Sequence, residues 1–427
     1  MTASKWIAGI GIGAAAIAIG LYSYGAKAAD LGGDCCADLE SRIAELEVST
    51  ARKGNRKVRL TISGIIHKGL LSHNNDDLPG ANKLSIYDGT TDPSRVRIEG
   101  EGKMSGEWAA GFVFEFAFAG NTARGLDIGK AMFAVDGPDG KNEFQIGETG
   151  TTVRHSYVYL SGPIGKFSLG QQSTATDGII EINLSQSNLA GRALQTMPLN
   201  FGGALAGLAT PFDGTRANAV RYDTPVLAGF TGTVAWQDND SWDAALRYAQ
   251  EFGQIRLAAG IGYRDQKSQT LVNVVNLLDV VTFNVAGSHK SVAGSASIQH
   301  IPTGVYANVY GSQVKYDLTG ELAILPPLFT MSFDLGRETA KGMGAQVGIE
   351  KNWFGVGAST IFVDWSKVDG QMLVGDYKSY GIGAIQSFDA LATSVYLTAK
   401  RLDISETGCL AVCKDTDVVM GGVRISY

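Results

Sequence analysis

Cysteine is scarce in this chain: four residues in 427, placed as two local pairs, Cys35-Cys36 and Cys409…Cys413. No histidine lies near either pair and the second has no matching half, so neither has the spacing of a zinc site. In an oxidising compartment the expectation is a small Cys409–Cys413 disulfide, while Cys35 and Cys36 could instead cross-link subunits. Histidine is equally sparse. His67, His73, His155, His289 and His300 are scattered, and none falls in H-E-x-x-H or near G-x-S-x-G. No enzyme, metal centre or cofactor is expected on that basis. A basic excess is also missing, with a net charge of −6, which argues against nucleic acid as a partner. Beyond residue 25 no stretch offers about 18 consecutive apolar residues without a charge, so the mature chain should have no transmembrane helix.

What is present begins with a leader. Lys5, an apolar run from Trp6 to Gly25 and the small-residue site Ala26-Lys27-Ala28 follow the order of a secretory signal peptide, giving residues 1–28 as leader. Removing Lys5 and Lys27 with it takes the charge from −6 to about −8. Fifty-five glycines against ten prolines suit many turns and close-packed strands.

The segment "ESRIAELEVSTARKGNRKVRLTISG" changes rhythm. Leu39, Ile43 and Leu46 fall at the 4-then-3 spacing of one helical seam. A basic hinge, Arg52 to Lys57, follows, and then Val58, Leu60 and Ile62 alternate with Arg59, Thr61 and Ser63. Residues 29–56 therefore read as a short periplasmic α-helix and hinge, with 57–427 as the next domain. The helix is too short to stand alone in water.

From Val58 onwards the period is two. "AGFVFEFAF" sets Phe112, Phe114, Phe116 and Phe118 against Glu115, and "VVMGGVRISY" sets Val419, Val423 and Ile425 against Arg424. Sixteen strands are predicted near 57–71, 94–104, 108–118, 153–161, 165–172, 217–224, 228–237, 242–250, 254–264, 290–300, 304–315, 342–351, 354–364, 376–387, 390–402 and 417–427. Links after the even-numbered strands are short and those after the odd-numbered ones mostly long. Sixteen strands of membrane-spanning length with asymmetric links make a poor sandwich, so the fold class is all-β: a 16-stranded antiparallel transmembrane β-barrel with its short turns in the periplasm. The apolar segments "TLVNVVNLLDVVTFNV" and "LAILPPLFTMSF" leave eighteen strands as the rival count.

"ARKGNRKVRLTISG", "HSYVYLSGPIGKFSLGQQ", "AVRYDTPVLAGF" and the aromatic-ended last strand resemble the alphaproteobacterial, rhizobial-type general porins. That resemblance implies a trimeric, water-filled outer-membrane pore for small hydrophilic solutes. It also implies a third loop, here about 173–216, folded inward to narrow the barrel. The loop's middle, "LNFGGALAGLATPF", reads as a segment packed on the barrel wall. Its acids are Asp177, Glu181 and Asp213, and its bases are Arg192 and Arg216. Opposite it should stand Arg59, Arg95, Arg97, Glu99, Glu101, Glu115, Arg221, Arg256 and Arg424, all on the polar faces of their strands. Tyr427 takes the place of the family's usual terminal Phe, as an insertion signal for the barrel-assembly machinery. Outer-membrane lipid, lipopolysaccharide and, through the helix, peptidoglycan are the expected surroundings. The oxygen-rich "HNNDDLPG", His73–Gly80, lacks the regular spacing of a calcium loop and reads as a solvated turn. A substrate-specific channel and an adhesive or wall-tethering barrel are the alternative functions.

Overall fold

The computed structural model describes residues 58–74, 84–88, 92–104, 106–119, 150–190, 214, 216–275, 281–324, 329–370, 376–404 and 415–427. The leader, Leu39, Ile43 and Leu46, the basic hinge, Arg192, Asp213, Cys409 and Cys413 lie outside them. No helix among the described residues is long and apolar enough to cross a membrane.

The strands are β1 (Val58–His73), β2 (Leu84–Asp88), β3 (Arg95–Lys103), β4 (Ala109–Ala119), β5 (Gly150–Gly162), β6 (Gly165–Ser173), β7 (Arg216–Asp223), β8 (Phe230–Gln237) and β9 (Trp242–Phe252). Then follow β10 (Ile255–Val275), β11 (Val281–His300), β12 (Val305–Ile324), β13 (Phe329–Lys351), β14 (Ser359–Asp369), β15 (Tyr377–Phe388), β16 (Thr393–Ile404) and β17 (Thr416–Ser426). From β3 to β17 each strand pairs antiparallel with the next, and β17 returns to β1 through Ile65↔Ser426 to His73↔Val418. Closure pairs the ring's strands on both sides along the barrel wall, whereas β10 beyond Asp265 and β13 before Lys341 pair on one side among the described residues. The ring has sixteen positions because β2 and β3 share one: β3 covers Val58–Ile65 of β1 and β2 covers Lys68–Ser72.

The eighteen-strand alternative is thereby corrected. The two apolar segments add length to predicted strands, making β10 to β13 of 21, 20, 20 and 23 residues where β9 and β14 have 11. Their links, 276–280 and 325–328, are consequently short, as is Asp238–Ser241 after β8. β14 begins five residues later than predicted, because Asn352–Ala358 forms the turn.

The faces are inverted relative to a soluble protein. Ile62, Phe114, Val158, Leu169, Val220, Ile261, Val309, Val347, Ile382 and Leu397 are exposed, while Glu115, Asp243, Ser297, Gln346, Thr360, Asp364 and Lys400 are buried. Such an exposed apolar surface matches lipid rather than water. The glycines have a packing role here. A Cβ on Gly100, Gly348, Gly383 or Gly422 would strike the ring of Phe112, Tyr306, Phe362 or Tyr396 on the neighbouring strand. Each glycine thus seats an aromatic ring from next door.

Candidate functional site

After β6 the chain turns into the barrel. The Asp243 carboxylate of β9 accepts the backbone N–H of Ala175 at 3.1 Å, that of Thr176 at 2.7 Å and the Thr176 hydroxyl at 2.6 Å. Arg247, on the same face of β9, donates to the carbonyls of Ala175 and Asp177. Gly178 takes a positive φ that favours glycine. Gly214, at the far end of the loop, has no room for a Cβ against the backbone of Asp177.

The segment then runs along one wall. Ile179 and Ile182 lie where Cβ atoms of Gly260 would be, and Ser295 of β11 donates to the Ile179 carbonyl at 2.6 Å. Leu184 N–H donates to Ser297 at 3.0 Å. Gln186 donates its backbone N–H to Glu350 of β13 at 2.7 Å and its side chain to Thr360 of β14 at 3.0 Å. A short 3-10 turn, Gln186–Ala190, ends the described course. There Leu189 and Ala190 bury against Tyr306, Phe362, Ile385 and Tyr396. Among the described residues the wall-packed course is 174–190. The stretch "LNFGGALAGLATPF", to which sequence reasoning gave that role, lies outside the described residues.

The opposite wall is arginine-rich. Glu115 of β4 is buried and faces Arg154 at 2.6 Å, Arg97 at 3.4 Å, Arg95 at 3.8 Å and His155 at 4.0 Å. Arg97 also pairs with Glu99 at 3.3 Å. Asp92, just before β3, pairs with Arg95 and, at 3.0 Å, with Arg424. Arg221 holds Asp223 at 2.7 Å and donates to the Ser173 carbonyl. Asp177 of the inward segment meets Arg216 at 3.9 Å. Glu181 lies on the same segment, half-buried, with Asn188 donating to its carbonyl at 2.9 Å. The arginine side chains of this wall remain partly exposed, between 18% for Arg154 and 34% for Arg97, so their charge reaches the lumen.

Four predicted residues, Arg256, Arg59, Glu101 and Tyr427, stand apart from this cluster. Arg256 lies just after the β9–β10 turn and pairs with Glu251 at 2.6 Å, so it belongs to the turn-end rim. Arg59 is the second residue of β1, opposite Glu101 in register, and the Tyr159 hydroxyl donates to Glu101 at 3.1 Å. Both sit towards the same rim. Tyr427 is exposed and exchanges backbone hydrogen bonds with Gly64 at 2.9 and 3.0 Å. Of "HNNDDLPG" only His73 and Asn74 are described. Asn74 pairs with Asp417 at 2.9 Å.

Sequence reasoning missed Arg154, Asp92, Asp243 and Arg247. Asp243 and Arg247 follow the plain alternation of "WDAALRY" and were open to recognition. Arg154 was not. The β4–β5 register slips between Glu115↔His155 and Phe116↔Val153, and that irregularity brings both Arg154 and His155 to Glu115.

A family model described as Gram-negative porin matches residues 14–407. No curated protein matches the sequence. Among solved structures the chain is similar to an anion-selective porin from Comamonas acidovorans, at 16% identity and a TM-score of 0.56, over 87% of this chain and 100% of that one. It is also similar to the trimer form of OmpT, an outer membrane protein of Vibrio cholerae, at 13% identity and a TM-score of 0.51, over 87% and 99%. The outer membrane channel DcaP of Acinetobacter baumannii follows at 11% identity and a TM-score of 0.51, over 88% and 99%. At these identities the likeness is one of fold.

Proposed function

Since the chain belongs to the Gram-negative porin family, a multi-pass barrel of the outer membrane through which small hydrophilic solutes diffuse passively, we propose that its selectivity arises between the inward segment 174–190 and the arginine wall. The observation that carries this reading is the division of labour inside the barrel. One wall holds the segment by hydrogen bonds from Asp243 round to Ser387, and the other presents Arg95, Arg97, Arg154, Arg216, Arg221 and Arg424.

Arginines on one side and carboxylates of Asp177 and Glu181 on the other set a field across the water path. Polar solutes align with it, whereas apolar ones lose hydration without compensation. The guanidinium suits this because it stays charged and its fork is held by neighbours. We place the work in solute passage and assign no catalytic role to any residue.

The affiliation with the rhizobial-type branch rests on the phrases quoted above. The trimer is supported by the trimeric form of the Vibrio cholerae neighbour. With it go the leader at 1–28, a helix and hinge at 29–56 whose Leu39, Ile43 and Leu46 would meet between subunits or at peptidoglycan, the Cys409–Cys413 bridge, and Tyr427 as the signal to the assembly machinery. Planar-bilayer recording tests the function: large ohmic steps in threes are expected. Block by one solute class would favour a specific channel, and absence of conductance would leave the adhesive reading.

A further inference from the structure

Between β2 and β3 the chain leaves the barrel wall for a few residues. β2 pairs with β1 as far as Lys68↔Asp88 and β3 takes over at Ile65↔Arg95, so Ile66 and His67 face no strand on that side among the described residues. Ser94 closes the gap with its side chain. Its hydroxyl accepts the His67 backbone N–H at 3.0 Å and donates to the His67 carbonyl at 3.3 Å, while its own carbonyl accepts the N–H of Phe118 on β4. The ladder thus continues across the step although no strand runs there.

The buried ring of His67 fastens the step from the luminal side. The Asp92 carbonyl can only accept, so Nδ1 donates to it at 3.0 Å, and Nε2 of the neutral ring accepts the Tyr396 hydroxyl at 2.8 Å. Tyr396 of β16 also belongs to the cluster that seats Leu189 and Ala190 at the end of the inward segment. Step and segment are therefore braced on one tyrosine.

From this fixed backbone the Asp92 carboxylate reaches two arginines of the wall. It pairs with Arg95 and, at 3.0 Å, with Arg424, and the side chains of all three stay partly exposed. Among the described residues Asp92 is the one acid that Arg424 meets. Arg95 has Glu115 besides, at 3.8 Å, but that buried acid is shared with Arg97 and Arg154. Two guanidinium groups converging on one carboxylate form a site for an oxyanion, because carboxylate and phosphate offer the same pair of acceptors to the guanidinium fork. The chain's own side chain fills it.

We propose that Asp92 is a specificity-determining residue: its carboxylate stands where a permeating carboxylate would otherwise lodge between Arg95 and Arg424, and so keeps small oxyanions moving through the constriction. The inference rests on the constriction proposed above and adds to it an internal competitor for one class of solute. The ties to His67 run through the Asp92 carbonyl and through Ser94, so removing the carboxylate leaves them in place. The vacated position is then open to a solute of the same chemistry.

The test uses the full-length channel in planar bilayers, with acetate, which carries the carboxylate of Asp92 itself, titrated into chloride solutions as probe. In D92A the acetate concentration that halves the chloride current should fall about tenfold or more below that of the wild type, the scale of one charge-assisted hydrogen bond. D92E, which restores a carboxylate, should stay close to the wild type. D92A/R424Q should lose the block again, because the second arginine of the site is gone. E99Q removes one negative charge from the same wall while Asp92 stays in place; it should move the reversal potential towards anions, as D92A does, without bringing the acetate block. A shifted reversal potential in D92A with unchanged acetate sensitivity overturns the proposal, as does an equal block in E99Q. An unmoved reversal potential in D92A takes Asp92 off the ion path and overturns the constriction reading at that point as well, so the two failures are read apart. Discrete channel steps in each variant show that the barrel has assembled.

Discussion

At the scale of single residues, the lumen charges act on a passing ion and on each other. A unit charge about 4 Å from an ion in water is worth about 1 kcal/mol. Neutralising Arg95 and Arg97 together should shift the reversal potential in a salt gradient towards cations, by roughly fivefold in permeability ratio per charge at that energy. Arg154→Gln should act in the same direction, and an unchanged reversal potential would remove these residues from the constriction. A second residue-scale expectation concerns stability. Lys400 and Asp364 form an ion pair at 3.1 Å with side chains 2% and 0% exposed, reached across β15 because Gly381 has no Cβ to obstruct the carboxylate. Lys400→Met should cost about 3–5 kcal/mol by leaving a buried charge unpaired. The double variant K400M/D364L should recover most of that in a denaturant titration. Alternation made Arg95, Arg97, Glu99 and Glu115 legible from the sequence, because each opposes an apolar face. Arg154 was illegible because the register irregularity breaks the period at that point. The Lys400–Asp364 pair was illegible for another reason: its partners are 36 residues apart and meet only once β15 has folded between them.

At the scale of elements, the inward segment depends on its anchor and on the glycines beneath it. Asp243→Asn exchanges a carboxylate that accepts from Ala175 and Thr176 for an amide with one acceptor. Hydrogen bonds to a charged group contribute about 1.5–3 kcal/mol. Undocked excursions should become roughly 10- to 100-fold more populated, visible as flicker in single-channel current. Gly260→Leu should displace Ile179 and Ile182 and reduce mean conductance; an unchanged trace would show that the segment does not limit flow. Strand identity was legible along almost the whole chain because one face meets lipid and the other meets water. Strand length was not. In "TLVNVVNLLDVVTFNV" apolar residues follow one another without alternation, so the period disappears; β10 seemed to end early and β11 to start late. β2, only five residues long, offered too few turns of the pleat to register. The wall-packed course of the inward segment was obscured because "TATDGIIEINLSQSNLA" is held largely through backbone and small polar groups, chemistry that hydropathy does not distinguish from an external loop.

At the scale of the whole molecule, subunit association can be separated from barrel closure. In the trimer proposed above, deleting residues 35–53 should leave the folded barrel intact while lowering the temperature at which the subunits dissociate in detergent. Unchanged dissociation would confine the helical seam to another partner. The long strands give the barrel a lopsided rim. β10 to β13 continue well beyond their neighbours. The way the inward segment is fastened bears on how the open channel should sound to an amplifier. It is tied at successive points along one wall, from Asp243 through Ser295, Ser297, Glu350 and Thr360 to Ser387, with its apolar side chains seated over glycines. A strip clamped along its length has few slow bending modes, whereas one held at its ends has many. Current through the open pore should therefore show a flat power spectrum at low frequency, with excess noise appearing only when one of those clamps is removed.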